Sequence, residues 1–393
     1  MNKQKSVQLS FSHEIMEWAR NVAEKIEKKM SRVTDRNGEK IIYSLDQDGK
    51  GEDQFAKNCS SWVNGFWPGM HWLLYLYNQD VKYMAKAKEF EEKLDEALFV
   101  SPEGFDRLHH DVGFMWIPTA LASYRITKDA ESRKRGLIAA NYLASRYNPD
   151  AEFITAWNTA EKESWSIIDT MMNIPLLYWA SAETGYSRFA KIAVKHAKKT
   201  AQNAVRPDGS VNHIVKYDLD NGAFIESYGG QGYEVGSCWS RGTAWAIYGF
   251  TLSYLNTGEC IFLETAKKTA NYFLSAVQMT DYIPLSDFRA PKEPVLYDSS
   301  AGAIAASGML TLATLLPEYE RQMYQEGAIR ILKALETKCC DFTDSIDLFL
   351  GLGSEAHWKQ EQKYMVYGEM YFFEAILKIL GRNDLSGCNL VEK

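Results

Sequence analysis

The sequence predicts an all-α fold, an (α/α)6 barrel of six helical hairpins with small β-hairpin inserts at the barrel mouth. Three observations lead there. Two kinds of helical segment alternate strictly along the chain, six of each. One kind is amphipathic, the other apolar on nearly every side. The extra length between repeats is concentrated in loops of one type. A helix that is apolar all round must be covered all round. Six such helices inside six amphipathic ones meet that demand as an inner and an outer ring. With no low-complexity stretch or linker to divide it, the chain is expected to form one domain, 1–393.

The amphipathic segments are 13–30, 81–98, 130–146, 187–204, 260–277 and 318–336. Each repeats apolar residues near 3.6 spacing with Lys and Glu between them. The apolar segments are 62–77, 111–126, 169–183, 240–255, 298–315 and 364–380. They open on a polar residue or Gly, run through small residues, and often end in an aromatic beside a turn, as in Tyr75-Leu76-Tyr77-Asn78 and Tyr254-Leu255-Asn256-Thr257-Gly258. An open solenoid would repeat every 20–50 residues or so. Here Asp111 and Asp169 are 58 residues apart, and Asp169 and Arg241 are 72 apart. The excess reads as elaborated walls around a cavity. Its largest insert, 206–236, carries Pro207-Asp208-Gly209, a loosely alternating stretch to Tyr217, and the reversal Asp220-Asn221-Gly222, the pattern of a β-hairpin arm. A further turn, Asp35-Arg36-Asn37-Gly38, follows the first helix.

Composition narrows the function classes. Net charge is −7 and no Lys/Arg block stands out, so nucleic acid is not an expected partner. The first twenty residues turn amphipathic without an apolar stretch, and no run of about 20 apolar residues occurs, so no membrane association is expected. Six cysteines without a C-x-x-C pair fit reduced thiols and a cytoplasmic location: Cys59, Cys238, Cys260, Cys339, Cys340 and Cys388. No G-x-S-x-G, phosphate-binding loop, dinucleotide fingerprint or H-E-x-x-H is present, against serine hydrolase, nucleotide and zinc-protease chemistry.

Two aspartates carry the functional reading. Asp111, in His109-His110-Asp111-Val112-Gly113-Phe114, and Asp169, in Trp165-Ser166-Ile167-Ile168-Asp169-Thr170, each open an inner helix. One such Asp is well explained by helix capping, worth about 0.5–2 kcal/mol. Two at equivalent places suggest a carboxylate pair facing one cleft, the minimum for proton transfer. His109 and His110 could orient Asp111 or reach a ligand. Adjacent side chains are expected to diverge, so no metal and no cofactor is expected. His213, Gln231, Arg241 and Trp245 should converge at the mouth. Arg241, at the head of an inner helix, needs an acidic partner, either a protein Asp/Glu or a bound carboxylate. Trp62, Trp67, Trp157 and Trp165 are candidate sugar platforms, with core packing the alternative for each. Asp298 reads as a helix cap.

The motifs HHDVGFMW, SWSIIDTMMNIPLLYWAS, CWSRGTAWAIYGF, YDSSAGAIAASGML and YGEMYFFEAILK, in this order over 58–380, resemble the unsaturated glucuronyl hydrolases of glycoside hydrolase family 88. The resemblance implies an (α/α)6 barrel that removes a 4,5-unsaturated glucuronic acid from the non-reducing end of lyase-generated glycosaminoglycan fragments. It does so by hydrating the vinyl ether: a proton goes to C4, water adds at C5, and the hemiketal collapses. Unsaturated glycosaminoglycan disaccharides are then the expected partners, and a monomer or weak homo-oligomer the expected state. By position, Asp169 matches the general acid/base and Asp111 the second essential aspartate. His110, Trp62, Trp157, His213, Gln231, Arg241 and Trp245 match substrate-site residues, with Arg241 inferred to meet the uronate carboxylate. The acid role requires a raised carboxyl pKa, expected at Asp169 from its apolar neighbours and the Asp111 charge, with an acidic optimum. Some streptococcal-type members carry Ser-x-x-Ser-x-Lys for sulfate. Here Ser354 and Lys359 fit, but His357 replaces the second Ser and Glu355 adds negative charge. Alternatives on the same fold are an unsaturated rhamnogalacturonyl hydrolase acting on pectin fragments and a non-catalytic sugar-binding barrel.

Overall fold

A computed structural model describes residues 6–382. Six outer helices, His13–Asn37, Val81–Lys93, Ala130–Ser145, Ser187–Asn203, Cys260–Val277 and Glu318–Cys339, alternate with six inner segments. Four of these are unbroken helices: Phe66–Asn78, Ser240–Thr257, Ser299–Ala313 and Val366–Ile379. The first outer helix shows the amphipathic logic. Ser12 caps it, accepting from the Ile15 N–H, and it buries Ala19, Val22, Ala23, Ile26, Met30 and Val33 along one stripe. The 240–257 helix, by contrast, is buried at every position from Ser240 to Leu255. Each inner segment packs against the next, and the last packs against the first, closing a helical barrel.

The two barrel ends are built differently. Four inner helices stop at a left-handed residue, Gln79, Lys128, Gly185 or Gly258, whose N–H returns to Tyr75, Tyr124, Ser181 or Tyr254. The next outer helix starts two residues later. All the return connections, from outer to inner, are longer and gather at the inner helices' N-termini. Elaboration therefore lies on one end, the mouth.

Two inner segments depart from the uninterrupted helices expected. The 111–126 run is a helix Val112–Trp116, a wider π turn Ile117–Leu121 and a second helix Ala122–Thr127. Pro118 lies in the wide turn, where its missing N–H and its ring disrupt the regular ladder. The 169–183 run opens as a 3-10 turn, Ile168–Met172, and becomes α-helical only at Pro175, in Pro175–Thr184. The first outer helix also runs past Met30 to Asn37 before Gly38, at φ 60°, ends it. The arm forms as strands Ile214–Tyr217 and Phe224–Tyr228, and gains a partner, Trp165–Ile167, paired Trp165 to Lys216 and Ile167 to Ile214. That third strand delivers the chain directly to Asp169. Two further strand pairs, Ile42–Leu45 with Gly51–Asp53 and Tyr147–Asn148 with Phe153–Ile154, also lie in the outer-to-inner connections.

Among the described residues no helix is long and apolar enough to cross a membrane. Cys59, Cys238, Cys260, Cys339 and Cys340 are free thiols, and Cys388 lies outside the described residues.

The first hairpin is clasped to the last connection by Asp347. Its carboxylate, 1% exposed, accepts from Arg36 Nε (2.9 Å), Asn37 Nδ2 (3.0 Å) and the Gly51 N–H (2.8 Å). Beside it Lys29 Nζ donates to the Asp341 and Thr343 carbonyls. Burial alone would raise the Asp347 pKa, but the Gly51, Asn37 and Arg36 contacts outweigh it and hold the pKa below its ordinary value. Replacing Asp347 with Ala leaves these donors unpaired and is expected to destabilise the protein by about 3 kcal/mol at neutral pH. A carboxyl with a lowered folded pKa stabilises above its unfolded pKa, and that stabilisation fades as pH falls through the folded value. The gap in denaturation midpoint between wild type and Asp347→Ala should therefore narrow in acid.

Candidate active site

Asp111 and Asp169 both lie at the mouth and both are nearly buried, 8% and 7% exposed. Neither side chain caps its helix. Asp298 does, accepting from the Ser300 and Ala301 N–H groups as expected. Capping thus explains Asp298 but neither Asp111 nor Asp169.

Asn173 joins the pair. One residue supplies three hydrogen bonds: Nδ2 donates to Asp111 Oδ1 (3.0 Å) and to the Asp169 carbonyl (3.0 Å), and Oδ1 accepts from the Phe114 N–H (2.8 Å). Gly113 allows this approach, since a Cβ there would meet Asn173 Cα at 2.5 Å. Thr170 binds the other flank, its Oγ1 2.7 Å from His110 Nδ1. Neither residue was singled out from sequence. The signal was available, because Asn173 follows Asp169 by one helical turn and shares its face.

The histidines turn inward. His109 Nδ1 is 3.5 Å from Asp111 Oδ2, and His110 Nε2 is 3.4 Å from Asp111 Oδ1. The two rings lie 5.4 Å apart, and their ligand atoms and the carboxylate fall within 4.8 Å of one another. The expected divergence of adjacent side chains is therefore corrected: the tight turn ahead of Val112 brings both rings onto one carboxylate. Burial pushes His109 down to about 4 and His110 well below its usual range, so both rings are neutral near pH 7. On the other side His213 Nε2 is 3.4 Å from Asp169 Oδ2. His213 Nδ1 accepts the Gln231 N–H (3.0 Å), which leaves Nε2 as the protonated nitrogen of a neutral ring. Gly230, at φ 59°, sits so close to that ring that no Cβ would fit.

Three buried polar atoms here have no hydrogen-bond partner: His110 Nε2, His213 Nε2 and Asp169 Oδ2. Buried polar groups are normally paired.

Burial, and then the facing Asp169 charge, push the Asp111 carboxyl well above the ordinary carboxylate range, against the Asn173 amide and the Arg146 charge. Desolvation is the larger cause at Asp111. Asp111 therefore keeps its proton to higher pH than a free carboxyl.

An open cavity of about 390 Å³ is lined by Tyr43, Trp62, Gln231, Arg241, Glu355 and Trp358, and Gln231 connects it to His213. Trp62 forms its wall, packed on Phe114 and Tyr367 at 5.2 Å. Trp157 contacts His110 at 6.3 Å and Trp165 at 5.8 Å, edge to face. Trp67 belongs to the core.

Two expectations change here. Trp245 is fully buried against Phe114 and Tyr371, below the mouth. It lies one turn, about 6 Å, deeper along its helix than Arg241, too deep to line the cavity. Arg241 has a protein partner. Nη1 pairs with Asp298 at 2.5 Å and also donates to the Ser354 carbonyl, while Nη2 donates to the Glu355 carbonyl (2.7 Å). Its guanidinium faces Trp239 at 4.5 Å. Of the two partners the sequence allowed, the acidic one present is Asp298, and Arg241 fixes the 353–359 loop. That loop buries Ser354 completely, and ties His357 Nδ1 to Ser286 Oγ (2.7 Å). Lys359 pairs with Glu355 at 2.5 Å, and Glu355 also accepts from Tyr43 Oη (2.5 Å). Gln231 Nε2 donates to the Glu355 carbonyl (2.6 Å).

The sequence model of Glycosyl Hydrolase Family 88 matches residues 29–334. The chain belongs to this family. It is a glycoside hydrolase. Curated relatives agree: it is 36% identical to an unsaturated glucuronyl hydrolase of Bacillus sp. strain GL1, over 88% of this chain and 94% of that one. It is 32% identical to an unsaturated chondroitin disaccharide hydrolase of Streptococcus pyogenes serotype M1, over 83% of each. Its fold superimposes on the crystal structure of the Bacillus sp. GL1 unsaturated glucuronyl hydrolase, described as responsible for glycosaminoglycan degradation, with a TM-score of 0.85 at 33% identity, covering 93% of this chain and 96% of that one.

A raised carboxyl pKa has a stability signature. Such a group favours folding below its unfolded pKa, and loses that contribution as pH rises through the folded value. Asp111→Asn keeps the acceptor for Asn173 and removes the buried charge. It should melt higher than wild type at neutral and alkaline pH, and the difference should vanish in acid, where wild-type Asp111 is itself neutral.

Proposed function

We propose that this family 88 barrel removes the 4,5-unsaturated glucuronic acid from the non-reducing end of lyase-generated glycosaminoglycan oligosaccharides, disaccharides included, by vinyl-ether hydration, within one catalytic domain. The observation that carries this reading is the pair of buried, uncapped carboxylates at the mouth, Asp111 and Asp169, with unpartnered Asp169 Oδ2 and His213 Nε2 beside them.

In this reading Asp169 is the general acid/base. The pair shares the proton that the raised Asp111 carboxyl retains, and the open Oδ2 of Asp169 delivers it to C4 of the unsaturated ring. The ionised acid then takes a proton from water as that water adds at C5. The product hemiketal collapses, releasing the remaining sugar and an open-chain keto acid. Asp111 keeps the shared proton in the pair and helps hold substrate, and neutral His213 donates from Nε2 without supplying a charge that would strip the acid. His110, Trp62, Trp157 and Gln231 are read as the surrounding substrate contacts. Arg241 shapes the cavity through the 353–359 loop. Because one proton must be present, kcat/KM is expected to be highest in acid to neutral solution and to fall on the alkaline side.

Loss of the ultraviolet absorbance of the conjugated C4=C5 bond measures the reaction. Unsaturated chondroitin disaccharide should lose that absorbance with wild type and keep it with Asp169→Asn, whose fold and substrate affinity remain. Loss with an unsaturated rhamnogalacturonan disaccharide alone would move the enzyme to pectin fragments, and no loss with either would make it a binding protein.

The 353–359 loop bears on sulfation. The Ser354 hydroxyl is buried, His357 is held by Ser286, and Lys359 and Lys363 both face Glu355, at 2.5 and 3.7 Å. The lysine charge that would meet a sulfate is already answered, so unsulfated disaccharides should be the better substrates. Glu355→Gln should raise kcat/KM on a sulfated disaccharide relative to its unsulfated counterpart by roughly tenfold, about 1.4 kcal/mol. An unchanged ratio would sink this preference.

A further inference from the structure

The Asn173 side chain contacts both acid-bearing segments, yet family membership and fold leave it without a role. We infer that Asn173 is a positioning residue that draws the pair's shared proton away from Asp111 and toward Asp169. The inference rests on reading Asp111 and Asp169 as the proton-handling pair.

The geometry is asymmetric. Both Nδ2 hydrogens are used, but only one reaches a carboxylate, Asp111 Oδ1 at 3.0 Å; the other goes to the Asp169 main-chain carbonyl. An amide N–H can only donate there, so it favours the ionised form of Asp111 and adds nothing to the Asp169 side chain. The Phe114 N–H, donating to Oδ1 at 2.8 Å, fixes the amide orientation, since a flipped amide would set two N–H groups against each other. Asn173 is fully buried, so no solvent competes for these bonds.

Of the other groups around the pair, only Arg146 biases it the same way, through charge and not a hydrogen bond. From its own turn Asp111 faces His109 and His110, both neutral. From the neighbouring inner segment it faces Asp169, whose charge pushes the proton toward Asp111. Arg146, from the end of an outer helix, acts on Asp111 through its charge, without an ion-pair contact among the described residues. Around Asp169 stand neutral His213 at 3.4 Å and, through charge alone, Arg241. Asn173 is thus the hydrogen bond that opposes burial at Asp111, drawing the pair's proton away from Asp111 and toward Asp169.

The test is the pH profile, which a merely structural brace would not move. Asn173→Ala removes the donor. The proton then shifts further onto Asp111, kcat should fall at least about tenfold, KM should change by less than about twofold, and the alkaline limb should move up by roughly one pH unit. Asn173→Asp keeps the shape and guards against misfolding. Neutral, it retains an O–H donor; ionised, it sets a third carboxylate against Asp111. Its activity should therefore return only in acid, while its melting temperature there matches wild type. Wild-type-shaped profiles for both variants, whatever the overall loss, would overturn the inference. An inactive Asp169→Asn together with unshifted Asn173 profiles would overturn this inference alone, and an active Asp169→Asn would remove the proposed reaction itself.

Discussion

Everything in this molecule follows from covering helices that are apolar on every side. The 240–257 helix has no solvent-facing stripe, so it needs neighbours in every direction, and its sequence provides none on its own. A closed ring of six such segments inside six amphipathic helices satisfies them all. Closure has a geometric consequence. Among the described residues the inner-to-outer connections are all short and lie at the same end, so the inner segments start at the other. Polar groups excluded from the barrel wall then meet at one mouth.

That mouth is where ordinary rules of satisfaction are relaxed. Asp298 behaves as a helix-starting aspartate should, capping its helix and neutralising a buried arginine. Asp111 and Asp169 occupy comparable places but do neither. Their environment combines burial, like charge and neutral imidazoles, a combination that costs folding energy and raises the Asp111 carboxyl. The rim is organised in the opposite sense. Arg241, Gln231 and Tyr43 are spent on holding the 353–359 loop, and Glu355 answers its lysine.

Much of this was legible in the chain. Helix periodicity located both rings, with an end that misses by about two turns at the first outer helix, and matching positions singled out the two aspartates. What was missed depends on three-dimensional approach. The break at Pro118 was visible as a residue but not as a wide turn within an inner segment. The strand Trp165–Ile167 has too few residues to show an alternation, and exists because the arm folds back to pair with it. Trp245 and Arg241 sit four residues apart in one motif, but the helical rise drops one into the core while the other stays at the rim. Asn173 looked like part of an apolar run, and its meaning appears only when Gly113 lets a neighbouring segment touch it.

The left-handed turns at Gln79, Lys128, Gly185 and Gly258 close the end remote from the mouth. An inner helix of 18 residues separates the two faces by about 27 Å, several times the reach of any side chain. That distance makes the molecule modular in a practical sense. Surface tethers, fluorescent labels or fused partners attached at these turns would be held away from arriving sugars, and the connecting loops at the opposite face could be exchanged without disturbing the joints that keep the ring together.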